Sequence, residues 1–106
     1  MQRVYDIVDG LNRKYPDGND DAFRCLARLT EEVGELAEQI NHFRGNGSKA
    51  KKLGEPNVDA LAGEIRDVVV AAMAIARSMG VELEVEAAIN SRIARLTEQG
   101  HLEATC

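Results

Sequence analysis

The sequence has no tryptophan, and only two tyrosines and two phenylalanines among its 106 residues. Its apolar content is mostly Ala, Leu, Val and Ile, a palette that suits the packing of helix on helix. Cysteine is nearly absent: Cys25 and Cys106 cannot build a disulfide framework. Cys25 falls near the apolar face of a helix and reads as a small core residue rather than a nucleophile; a reducing cytoplasm is the expected setting. The longest apolar run, Val68 to Ala76, is nine residues, far short of the roughly 18 of a transmembrane helix. The first residues lack the basic-then-apolar pattern of a signal peptide. Basic residues are outnumbered 13 to 18, and a net charge of -5 with pI near 5.0 argues against a partner that is a nucleic-acid polymer. Neither a G-x-x-x-x-G-K-S/T phosphate loop, nor G-x-S-x-G, nor paired C-x-x-C occurs.

What remains is ordinary globular material, 44% hydrophobic and 29% charged. The whole chain, 1–106, fits one domain whose core is small enough that oligomerisation would help it. Four helices are legible. Val4, Ile7, Val8 and Leu11 mark the first, about Gln2 to Tyr15. "YPDGND" stops it, and Asn19 or Asp20 can cap a second, about Asp20 to Arg44. There Ala22, Leu26, Leu29, Val33, Leu36, Ile40 and Phe43 form the clearest ladder in the chain, expected to face inward. Gly45 to Asn57 reads as a loop. A third helix begins at Asn57 or Asp59, with Leu61, Ile65, Val68, Val69, Ala72, Ala76 and Met79 inward and Gly80 as the residue after its end. A fourth, about Glu82 to Gln99, carries Val85, Ile89, Ile93 and Leu96, and 101–106 is expected to fray. The fold class is all-α, a four-helix bundle.

On this scaffold the acids are crowded. "EEVGE" places Glu31, Glu32 and Glu35 in five residues, with Glu38 one turn on. Like charges at such spacing repel by roughly 0.2–0.5 kcal/mol per exposed pair. At 100° per residue, Glu32 borders the apolar ladder and Glu35 lies about 60° further out. The third helix repeats the arrangement, with Glu64 at the edge of its stripe and Asp67 about 60° outside it. Antiparallel packing of the two seams would bring four carboxylates to one groove, a cluster that either raises its own proton affinity or takes a hard divalent cation. The spacing alone names no reaction.

"LTEEVGELAEQI" (Leu29 to Ile40) and "LAGEIRDVVVAAMAIA" (Leu61 to Ala76) together resemble the MazG-like, all-α nucleoside triphosphate pyrophosphohydrolases, whose signature is EExxE, a spacer and ExxD. Glu31, Glu32 and Glu35 match the first part, Glu64 and Asp67 the second, and the 28 residues between are a long spacer for that family. The resemblance implies an enzyme that cleaves a nucleoside triphosphate between the α- and β-phosphates, giving the monophosphate and pyrophosphate. It implies Mg²⁺, with Mn²⁺ as a substitute, held by Glu32, Glu35, Glu64 and Asp67. Glu31 or Glu32 would handle the attacking water, and residue spacing does not separate them. A homodimer or homotetramer is implied, with sites lined by more than one subunit. On the phosphate side many such sequences carry Asn-x-Lys-(apolar)-x-x-Arg on the last helix. Here "NSRIARL" supplies Asn90 and Arg92, with Arg for Lys; Leu96 holds the later position and Arg95 stands one place early. Lys49, Lys51 and Lys52 could close over a triphosphate from the intervening loop.

Alternatives stay open. Phosphoribosyl-ATP pyrophosphohydrolase and the deoxycytidine- or deoxyuridine-triphosphate enzymes of the superfamily have similar acid motifs, and "EVGELAE" is close to the deoxycytidine type. A non-catalytic helical interaction module is the reading from a different class. Glu98-x-x-His101 is a single copy that includes Gly100, where di-iron bundles need two. His42, by the end of the second helix, is expected to be solvated or a partner of the helix dipole. Gly34, unfavourable in a helix by roughly 1 kcal/mol against Ala, would fit a close helix approach. Tyr5, Asn12 and Asn19 are base-selecting candidates without a motif.

Overall fold

A computed structural model of the chain describes residues 1–17, 21–44 and 55–103. Among these are four helices and no strand: α1 (Gln2–Lys14), α2 (Ala22–Phe43), α3 (Val58–Met79) and α4 (Glu82–Glu98). Local chemistry explains their ends. Asp21 caps α2 by accepting from the Phe23 amide at 2.8 Å, so the cap lies one residue beyond the expected Asn19 or Asp20. Asn57 caps α3, accepting from the amides of Asp59 and Ala60 at 2.8 and 3.1 Å. Gly80 closes α3 at φ 66°, the left-handed conformation that costs glycine nothing, while the Val81 amide donates to the Ala76 carbonyl at 2.9 Å.

α3 is the centre. It packs along α2 and against α1, and among the described helices α4 packs only against α3, and slightly. Val8, Cys25, Val70 and Ala74 form the buried cluster, flanked by Val4, Leu11, Met73 and Ile75. Cys25 is wholly buried, as a small core residue should be. Cys25 therefore meets α3 near Val70 and Ala74, while Glu32 meets it near Glu64, so α2 and α3 run antiparallel.

The ladders do not all face inward as expected. On α2 the track toward α3 is Cys25, Leu29, Glu32, Leu36, Gln39 and His42, all buried or half-buried. Leu26, Val33 and Ile40, seven residues apart, sit on the outer flank, each about half exposed. The apolar stripe of α2 is wider than one helix can cover, and α3 covers only one edge. Ile65 and Met79 of α3, and Ile89 and Ile93 of α4, are likewise exposed, and α4 buries no residue at all. The radius of gyration is 17.0 Å, against about 13 Å for a compact domain of this length. The molecule is flat, 48 × 41 × 20 Å.

Candidate active site

The antiparallel seam of α2 and α3 brings Glu32, Glu35 and Glu64 together. Each offers a carboxylate oxygen within 4.8 Å of the other two. Glu35 is exposed, whereas Glu32 and Glu64 are half-buried at the edge of the seam. One oxygen of each of these two, Oε2, is shut away from solvent without a hydrogen-bond partner. Burial pushes the Glu32 carboxyl up from 4.5 to about 7, and the charges of Glu35, Asp67 and Glu64 add to the effect. Glu64 is raised for the same reasons, burial first and then Glu35.

Asp67 is near enough to disfavour the charge of both, yet it stands outside the triad, its carboxylate turned onto the Arg66 guanidinium at 3.0 Å. Glu31 is exposed on the neighbouring face of α2. Asn90, Arg92 and Arg95 are exposed on α4, which makes no helix contact with α2. Arg92 lies 12 residues after Gly80 and Asp67 lies 13 before it, so each arm is about 18–20 Å long. The two would meet again only if α4 folded back along α3, and their slight contact excludes that. Lys49, Lys51 and Lys52 fall outside the described residues, as does Asn19.

An orphaned buried carboxylate oxygen on each of two helices, in an all-oxygen donor set, fits a hard cation such as Mg²⁺. A family model described as MazG nucleotide pyrophosphohydrolase domain matches residues 22–99. The chain belongs to this family. It is also similar to the Bacillus subtilis (strain 168) protein named "Uncharacterized protein YpjD", 34% identical over 84 residues that cover 79% of this chain and 73% of that protein. No solved structure matches significantly. In this MazG domain the matched span holds every acid of the triad together with Asn90 and Arg92, and α1 lies outside it.

Two features escaped the sequence reading. His42 is buried, only 6% exposed, and neither ring nitrogen has a partner, because it continues the track of α2 that faces α3. Arg77 joins Asp9 of α1 to Glu82 of α4; its partner 68 residues away leaves no local signal. Tyr5 and Asn12 bury a phenol hydroxyl and an amide oxygen, respectively, without partners. A Cβ on Gly34 would meet nothing within 4 Å, so among the described residues no other helix approaches it closely.

Proposed function

We propose that this MazG domain is a Mg²⁺-dependent pyrophosphohydrolase that converts a nucleoside or deoxynucleoside triphosphate to the monophosphate and pyrophosphate. The observation that carries the reading is the triad with its two orphaned buried oxygens, Glu32 Oε2 and Glu64 Oε2. Glu32, Glu35 and Glu64 would hold the cation, with Asp67 joining them on release from Arg66. Bound there, Mg²⁺ supplies neutralisation of phosphate charge and a lowered proton affinity of water.

The carboxylates then divide the work. A carboxylate engaged by a cation is a weakened base, since the cation stabilises its anionic form. Glu31, outside the triad and next to Glu32 on α2, keeps its lone pairs for the proton of the water that attacks the α-phosphorus. Arg92 donates to phosphate oxygens through its planar fork, and Asn90 through its amide. Because α4 stands away from α2, both serve the triad of a second copy, in a homodimer or homotetramer whose seams are the exposed stripes of α2, α3 and α4.

A pyrophosphate-release screen over ordinary, deoxy and oxidised nucleoside triphosphates, with Mg²⁺, Mn²⁺ or chelator, tests the reading. Metal-dependent release from at least one of them is the expected result. "EVGELAE" favours a pyrimidine deoxynucleotide, above all deoxycytidine triphosphate, over phosphoribosyl-ATP as the best substrate. Release from none would leave a helical interaction module.

A further inference from the structure

The turn between α3 and α4 has more built into it than a change of direction. Arg77, in the last turn of α3, donates through Nε and Nη2 to the two carboxylate oxygens of Asp9, at 3.0 and 2.8 Å. Its third nitrogen, Nη1, donates to Glu82 Oε2 at 2.8 Å, in the first turn of α4. The guanidinium also lies over the ring of buried Tyr5, 4.7 Å from its centroid. One planar group thus ties three helices, and with Tyr5 and Glu82 it lines an open cavity of about 580 Å³.

We infer that Arg77 is a positioning residue: it sets the direction in which α4 leaves the body, and with it where Asn90 and Arg92 are presented. Little else holds α4. It buries no side chain, its N-cap Val81 makes no side-chain cap, and a Cβ at Gly80 would meet nothing. Among the described residues, the Arg77–Glu82 pair is the side-chain ion pair that links α4 to the other helices. An isolated surface pair would hold it weakly. Here the Asp9 fork and the Tyr5 ring fix the guanidinium before Glu82 reaches it, so the third bond is made to a preoriented donor. Lysine, with a compact charge on a flexible stem, cannot span both acids. The catalytic consequence of this elbow rests on the phosphate role given above to Asn90 and Arg92; the elbow itself does not.

Two measurements test it. Ala27→Cys on α2 and Ser91→Cys on α4, both exposed, take nitroxides in a chain carrying Cys106→Ser, while wholly buried Cys25 stays unlabelled. With labelled chains diluted in unlabelled ones, the electron–electron distance should be single and narrow, and should broaden or shift in Arg77→Ala and in Glu82→Ala. Unchanged distances in both overturn the inference. Should Arg77→Ala fail to fold, Glu82→Ala decides alone, since it leaves the Asp9 fork and the Tyr5 stack in place. In the pyrophosphate assay Glu82→Ala should raise KM about fivefold with kcat within about twofold, and Arg77→Lys should not restore the parent value. A broadened distance with unchanged KM overturns the positioning role. A parent chain that releases no pyrophosphate overturns the enzymatic reading instead, and the distances still judge the elbow.

Discussion

Glu32 carries a proton at a pH where an ordinary glutamate has none. Its carboxyl rises from 4.5 to about 7 on folding, so between those values the native chain binds more protons than the unfolded one. Stability of the metal-free protein should then be greatest near the lower value and fall as pH rises through the upper one. Scanning calorimetry in chelator should show Tm dropping over that interval, and Glu32→Gln should flatten the slope. Mg²⁺ binding must expel the same proton, so affinity for the ion should weaken as pH falls below about 7, measurable by titration calorimetry. Glu31 behaves differently. Glu31→Gln is expected to cut kcat by about 10²-fold or more while leaving Mg²⁺ affinity near the parent's, whereas Glu32→Gln should damage both. The convergence of Glu32, Glu35 and Glu64 was legible in the sequence, because i, i+3 acids at the edge of an apolar stripe are a local property of each helix. Asp67 was less legible: Arg66 beside it competes for its carboxylate, and the outcome depends on where that side chain turns.

The helices themselves stand within about two residues of their expected bounds, since caps and breakers act through neighbours in the chain. Asn57 shows the size of such an effect. Removing its carboxamide in Asn57→Ala orphans two amides at the start of α3 and should cost about 1 kcal/mol in urea unfolding. Gly80→Ala forces a Cβ into the left-handed region and should cost about 1–2 kcal/mol. Facing was harder to read than existence. A ladder of seven apolar residues on α2 declares a wide face but not which edge of it the chain itself will cover. α3 took the edge holding Cys25, Glu32 and His42, and so buried a histidine that the sequence left to solvent. Which helix touches which is a property of the whole packing, and nothing local encodes the Asp9–Arg77 link.

As a whole the chain exposes 7911 Å², about 2,000 Å² more than a compact protein of its 11.6 kDa should. That surplus is comparable to one substantial subunit interface. Light scattering coupled to size exclusion is therefore expected to give a multiple of the chain mass. Ile40→Lys, on the outer flank of α2 and already 46% exposed, should lower that mass without unfolding the protein. No described helix is long and apolar enough to cross a membrane.

The central place of α3 also orders events during synthesis. α1 and α2 leave the ribosome before α3, and among the described residues their backbones do not lie against each other, Val8 and Cys25 meeting in a cluster that α3 completes with Val70 and Ala74. Among the described helices, the one each packs against is α3, which is complete only once Met79 has emerged. A nascent chain arrested before that point should remain open to protease along α2, and one arrested after it should not. The acidic face of α2 should therefore gain its opposing carboxylate only when the helix that carries Glu64 arrives to close the seam.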